Sequence, residues 1–171
     1  MISWISALCR RPASLRAVGL TMALTTLLTW ALAISGPTLA DPIKPTRDEV
    51  AALTRKAAVI VETQGIEAAR EIFNKDGEFK FGEIYVNLID FKGAWLIYPP
   101  RPASVGKTVI NLKDADGRFL IQDIIKMARE EDEGWVEYRW INPVSNKVEL
   151  KLTYVKRIPG QDIAASIGIY K

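Results

Sequence analysis

The stretch Gly134–Tyr170, GWVEYRWINPVSNKVELKLTYVKRIPGQDIAASIGIY, decides the fold. Three runs rich in Val, Ile, Tyr, Trp and Thr are separated by two turn signals: Asn142-Pro143 with Ser145-Asn146, and Pro159-Gly160 with Gln161-Asp162. This pattern predicts three consecutive antiparallel strands, a meander forming one curved sheet. Side chains alternate across a strand, so VELKLTYVK places Lys151, Thr153 and Val155 on one face and Leu150, Leu152 and Tyr154 on the other. By the same rule Tyr138 and Trp140 share a face, opposite Trp135, Glu137 and Arg139.

Immediately upstream, Phe119 to Asp132 reads as an amphipathic helix with Leu120, Ile121, Ile124, Ile125 and Ala128 apolar. Its EEDE end puts negative charge at a helix C-terminus, where the dipole disfavours it, so fraying is expected near Glu131. Before it, Pro99 to Gly117 has no helix or strand signal, and its apolar Val105, Val109, Ile110 and Leu112 suit an ordered loop packed as a lid. Glu83 to Phe91, EIYVNLIDF, reads as a central strand with Tyr85, Asn87 and Ile89 on one face and Ile84, Val86 and Leu88 on the other. Asp90-Phe91-Lys92-Gly93 then turns the chain, and Ala94 to Tyr98 returns as a hairpin partner that stops at Pro99-Pro100. Further back, Thr46-Arg47-Asp48-Glu49 fits a capping box opening a helix with Val50, Leu53, Ala57, Ile60 and Val61 at helical spacing. Gly65 closes that helix, and Ile66 to Phe73 reads as a second, shorter one.

The first 40 residues have a different character. Arg10, Arg11 and Arg16 precede an uncharged, mostly apolar run from Ala17 to Ile34, then a Gly36-Pro37 break and a small Ala40. That order predicts a signal peptide cleaved after Ala40; the alternative is a retained anchor, since about 18 apolar residues just span a bilayer. Residues 41–171 then form one domain, exported to the periplasm or beyond. The net charge of +3 lies wholly in the leader, leaving 20 basic and 20 acidic residues afterwards, so nucleic-acid binding is not expected. Cys9, the one cysteine, precedes the apolar run and leaves with the leader, so the domain has neither disulfides nor thiolate metal ligands.

The element order of long helix, hairpin, long loop with helix, and three antiparallel strands is that of a PAS-like α+β domain. Within it, FKFGEIYVNLIDFKGAWLIYPPRPASVGK (Phe79–Lys107), NLKDADGRFLIQDIIKMA (Asn111–Ala128) and the Gly134–Tyr170 meander closely resemble the single Cache family of extracytoplasmic sensor domains, over Thr46 to Lys171. The resemblance implies a long N-terminal helix on an antiparallel sheet of about five strands, binding a small metabolite, commonly a carboxylate or amino acid, between the sheet and the long loop. It also implies signalling through a membrane receptor or kinase partner, and pairing of two copies through the first helix. Because the sequence ends soon after the last strand, it resembles the stand-alone secreted members of the family.

Candidate ligand contacts follow from the faces. Lys151 is either a solvated surface lysine or, if its face is concave, an ammonium that pairs with a ligand carboxylate; the family word KLTYV favours the second. Tyr138 and Trp140 offer apolar walls with polar tips, or ordinary core packing. Tyr85 shares its face with Asn87, whose amide either orients a ligand or serves a neighbouring loop. Tyr98 and Arg101 stand at the mouth of the long loop as lid candidates. Catalysis is poorly served: the chain has no histidine, and its carboxylates are scattered or clustered in EEDE. Asp114-Ala115-Asp116-Gly117 is only a fragment of a calcium loop, so neither metal nor cofactor is expected. The competing reading is a non-catalytic accessory module whose pocket is filled by its own side chains.

Overall fold

The computed structural model describes residues 44–171; the expected leader and its cleavage point lie outside them. Helix α1 (Arg47–Phe73) opens on the expected capping box. Thr46 Oγ1 accepts from the Glu49 amide at 3.3 Å, and Glu49 Oε2 accepts from the Thr46 amide at 2.7 Å. The helix is interrupted at Gly65, whose φ of 82° and ψ of 170° are available almost solely to glycine, and helical geometry resumes to Phe73. Non-helical Gly65 thus divides α1 into the two expected helices, joined end to end across a kink.

Six strands are present among the described residues: β1 (Lys80–Phe81), β2 (Ile84–Asp90), β3 (Trp95–Ile97), β4 (Glu133–Ile141), β5 (Val148–Arg157) and β6 (Ile163–Tyr170). The sixth, β1, is too short for a period-two pattern to reveal. All pairings are antiparallel in the order β1-β2-β6-β5-β4, with β3 also on β2. The meander is present as expected, but its last strand lies at the centre of the sheet, joining β5 to β2. Helix α2 (Leu120–Glu130) ends one residue before Glu131, and Asp132 takes a left-handed φ of 66° as the chain enters β4.

The two Asp-x-x-Gly words are matching structural devices. Asp90 Oδ1 accepts from the amides of Lys92 and Ala94, and Asp114 Oδ1 from those of Asp116 and Arg118, all at 2.8–3.0 Å. Gly93 and Gly117 follow at φ of 85° and 84°. Each aspartate therefore satisfies loop amides that no strand partner would reach. Asp114 Oδ2 also faces the Arg139 amide at 3.4 Å, tying the loop to edge strand β4. Burial pushes the Asp114 carboxyl up, but amide donation from Arg118, Arg139 and Asp116 outweighs it and holds its pKa below the usual range. Between these turns the long loop is ordered: Pro102–Ser104 is a 3-10 turn, and Trp95 and Gly106–Lys107 exchange backbone hydrogen bonds beside β3.

Alternation divides the sheet between two layers. Ile84, Val86, Leu88, Leu152, Tyr154, Ile167 and Ile169 pack with Val50, Ala57, Val61, Ala69 and Phe73 of α1 in one apolar core. On the other face Ile89, Val136, Val155 and Ala164 pack with Leu120, Ile121, Ile124, Ile125 and Ala128 of α2. Helix α2 is short, and the rest of that face, with Tyr85, Asn87, Tyr138 and Trp140, meets the loop instead. Among the described residues no helix is long and apolar enough to cross a membrane.

Candidate functional site

Under the long loop, Tyr85 and Asn87 of β2, Tyr138 and Trp140 of β4, Trp95 of β3, Tyr98, Leu112 and Leu120 surround a cavity of about 10 Å³. That is room for one water at most, because aromatic side chains fill the space. Trp95 and Tyr98 stack with ring centres 4.6 Å apart, Tyr85 meets Tyr98 edge-on at 6.2 Å, and Tyr138 meets Trp140 edge-on at 6.5 Å. The aromatic residues singled out from strand alternation are therefore gathered in one place. Leu112, expected to pack the loop as a lid, and Leu120, expected on the apolar face of the helix, join them, while Trp95 does so without having been singled out, since the hairpin's facing side is not readable from local pattern.

Lys151 is 1% exposed, so the solvated-lysine alternative is overturned. Its Nζ donates to the Tyr85 hydroxyl at 2.7 Å and the Tyr170 hydroxyl at 3.3 Å, and lies 4.2 and 4.5 Å from those ring centres. Gly168 makes this path possible. A Cβ there would fall 2.3 Å from Lys151 Cε and 2.5 Å from Thr153 Oγ1, so only a bare backbone lets the lysine stem cross β6. Gly168 and Tyr170 lie in the last strand of the meander and were not singled out from the sequence; the register that pairs Lys151 with Tyr170 brings them to the lysine.

Burial pulls the Lys151 ammonium down to about 7, opposed by the charge of Glu83. Glu83 is otherwise engaged: Oε1 accepts from the Tyr170 amide at 2.9 Å and lies 3.5 Å from Lys44 Nζ. Lys151 thus holds a proton near neutrality with hydroxyls, not a carboxylate, as its hydrogen-bond partners. Burial also pushes the phenols of Tyr85, Tyr138 and Tyr170 up, so all three stay protonated near neutral pH. Tyr138 accepts from Thr153 Oγ1 at 2.9 Å, and Tyr170 donates to the Ile141 carbonyl at 2.8 Å. Arg101 stands apart from the cavity lining: it is exposed at the start of the 3-10 turn, near enough to Tyr98 to lower its phenol pKa against the larger upward push of burial. Among the described residues no cluster of three metal-ligating side chains occurs.

Tyr85 links the two arrangements: it lines the cavity and accepts from Lys151, which with Tyr170 lies outside the lining. A family model described as single Cache domain 2 matches residues 49–171. The chain belongs to this family.

Several relatives agree with that placement. The single Cache domain is 22% identical over 124 residues, 67% of this chain, to the methyl-accepting chemotaxis protein McpP of Pseudomonas putida. It spans about 23% of that protein's length. Among solved structures, a methyl-accepting chemotaxis protein from Vibrio parahaemolyticus is 26% identical with a TM-score of 0.57, over 72% of this chain and 81% of that one. A Cache chemosensory domain, described in terms of carboxylic acid recognition, is 20% identical with a TM-score of 0.63, over 72% and 91% of the respective chains. A periplasmic sensor domain of a chemotaxis protein is 19% identical, with a TM-score of 0.59, over 72% and 88%. The last two establish likeness of fold. Single Cache domains are extracytoplasmic sensor modules, and a non-catalytic, ligand-binding role is the one this membership supports.

Proposed function

We propose that this single Cache domain senses a short carboxylate outside the cytoplasm and passes its occupancy to a membrane receptor or kinase. The observation that carries the reading is Lys151: a buried lysine, bonded to two phenols and to no carboxylate, is the group an anionic ligand completes. Tyr85, Tyr138, Trp140 and Tyr98 supply the walls, Asn87 a polar contact, and Arg101 the rim of the loop. The absence of histidine from the sequence favours a binding role over turnover. Export follows in this reading from a leader cleaved after Ala40, and two copies pair through α1.

Calorimetry with acetate and longer monocarboxylates tests the ligand class. A Lys151→Met variant keeps the stem's volume and removes the charge. Its affinity should fall roughly 10- to 100-fold, the worth of a charge-assisted hydrogen bond of about 1.5–3 kcal/mol, with the fold unchanged by circular dichroism. Unchanged affinity in that variant removes Lys151 from the site.

One observation favours a second reading. With only about 10 Å³ free, the aromatic side chains already occupy the site, as they would in an accessory module that works through protein contact alone. Thermal stabilisation by a short acid decides for the sensor; no shift with any acid or amino acid decides for the accessory module.

A further inference from the structure

Six large apolar side chains are exposed among the described residues, and three of them belong to the turn between β4 and β5: Ile141 at 53%, Val144 at 67% and Val148 at 44%. Ile141 and Val148 are cross-strand partners, so their side chains stand next to each other, with Val144 in the turn that joins them. The turn meets most of its own hydrogen-bonding needs. Asn142, 5% exposed, donates its amide to the Lys147 carbonyl at 2.8 Å, and its carbonyl and Oδ1 accept from the amides of Asn146 and Val144 at 2.9 Å. Ser145 Oγ accepts from the Lys147 amide at 3.3 Å, and Pro143 has no N–H to satisfy. A turn bonded to itself can enter a medium that offers no hydrogen bonds, whereas one bonded to water loses those bonds on entry.

This turn lies at the end of the domain where the chain arrives from the apolar leader. Tyr170 donates its hydroxyl to the Ile141 carbonyl at 2.8 Å, and its own carbonyl accepts from Lys44 Nζ at 2.6 Å. Glu83 accepts from Asn142 Nδ2 at 3.3 Å and lies 3.5 Å from Lys44 Nζ. Lys44 follows the uncharged run Ala17–Ile34 by ten positions, at most about 36 Å of chain, so while the leader is attached this end stays beside the bilayer. The charges are sorted as well. Lys44, Lys147 and Lys171 are exposed, the last paired with Glu137, whereas Glu83 and Glu149 are half-buried and bonded to Asn142. The outer charge is therefore positive, which complements anionic headgroups.

We propose that the β4–β5 turn docks the domain on a lipid surface, with Ile141, Val144 and Val148 entering the boundary between headgroups and acyl chains and Lys147 among the headgroups. Three side chains on one turn offer far less than the roughly 800 Å² per partner that a stable protein interface buries, but they suit shallow insertion into lipid. Docking there holds the domain at the surface where a membrane receptor or kinase stands. It involves neither Lys151 nor the cavity under the loop, so it stands or falls apart from the ligand reading.

The test is a fluorescent probe placed on the full chain. With Cys9→Ser removing the one native cysteine, Val144→Cys or, as a control on α1, Val59→Cys carries an environment-sensitive label. Each labelled chain is mixed with vesicles of phosphatidylcholine, alone or with phosphatidylglycerol. Because the leader is present in both, its own affinity for lipid cancels from the comparison. The label at Val144 should shift to the blue and be quenched by a lipid-borne quencher, while that at Val59 does neither. Ile141→Ser, at an exposed position and with the fold checked by circular dichroism, should lower the equilibrium constant for insertion of the turn about tenfold. Lys147→Gln should reduce the preference for phosphatidylglycerol about fivefold. Equal response of the two labels overturns the proposal, as does a Val144 label that stays in water or an insertion indifferent to Ile141→Ser. A blue shift at Val144 that grows with protein concentration without vesicles also overturns it, since the turn then packs on a second copy of the chain.

Discussion

The two faces of the sheet are made by the same strands and do opposite work. Toward α1, β2 presents Ile84, Val86 and Leu88, β5 presents Leu152 and Tyr154, and β6 presents Ile167 and Ile169, all within one apolar core. One residue along each strand, the other face presents Tyr85 and Asn87, Lys151 and Thr153, Ser166 and Tyr170, every one of them buried. Hydrocarbon against α1 contributes stability and needs no geometry finer than close packing. Polar groups on the other face must each find a partner; Lys151 has two phenols but no counter-charge and Asn87 Oδ1 has none, and in the proposed function this is where a ligand is read. In that reading function is concentrated where the sheet departs from the most stable choice of residue.

Substitutions on the two faces should therefore separate stability from binding. The largest effect is expected from Leu88→Ala, which opens a cavity in the α1 core and should lower unfolding free energy by about 2–5 kcal/mol in urea titration. The fraction still folded should bind acetate as before; a parallel loss of affinity would show that the faces are not independent. Gly168→Ala sharpens the contrast from the other side. Its methyl collides with the Lys151 stem, so stability should fall by about 1–3 kcal/mol through overpacking, with acetate binding lost as Lys151 is displaced.

The smallest effect, spread over pH, is the most specific to Lys151. Its folded value of about 7 lies below the ordinary 10.5, so between these limits the unfolded chain binds more protons than the empty folded one. Stability contributed through this group therefore rises with pH across that window, by up to about 1.4 kcal/mol per unit, and is flat outside it. The difference in unfolding free energy between the unaltered protein and Lys151→Met, followed from pH 7 to 10, should show this slope. Acetate affinity should move the other way, weakening up to about tenfold per unit above pH 7 because binding must then take up a proton. A slope of the opposite sign in the empty protein would mean that Lys151 already has an anionic partner.

Much of this was legible without coordinates because it depends on local rules. The capping box at Thr46, the break at Gly65, the meander turns and the face shared by Lys151 and Thr153 follow from spacing and backbone preference over a few residues. Strand alternation also grouped Tyr138 with Trp140 and Tyr85 with Asn87. It could not say which grouped residues share a cavity, and Arg101, placed at the same loop by sequence, stands outside the lining. Charge type alone likewise left Lys151 open between solvent and site.

By itself the sequence determined the elements, their faces and the family, since periodicity, turn chemistry and ordered motifs are written in consecutive residues. The tertiary structure alone decided that β6 lies between β2 and β5, for pairing at a separation of some eighty residues has no local signal. That placement brings bare Gly168 beneath the stem of Lys151 and sets Tyr85 and Tyr170 around its Nζ. A surface lysine and a buried one are the same letter; the cross-strand neighbours determine its solvation, and with it the proton that an anion would meet.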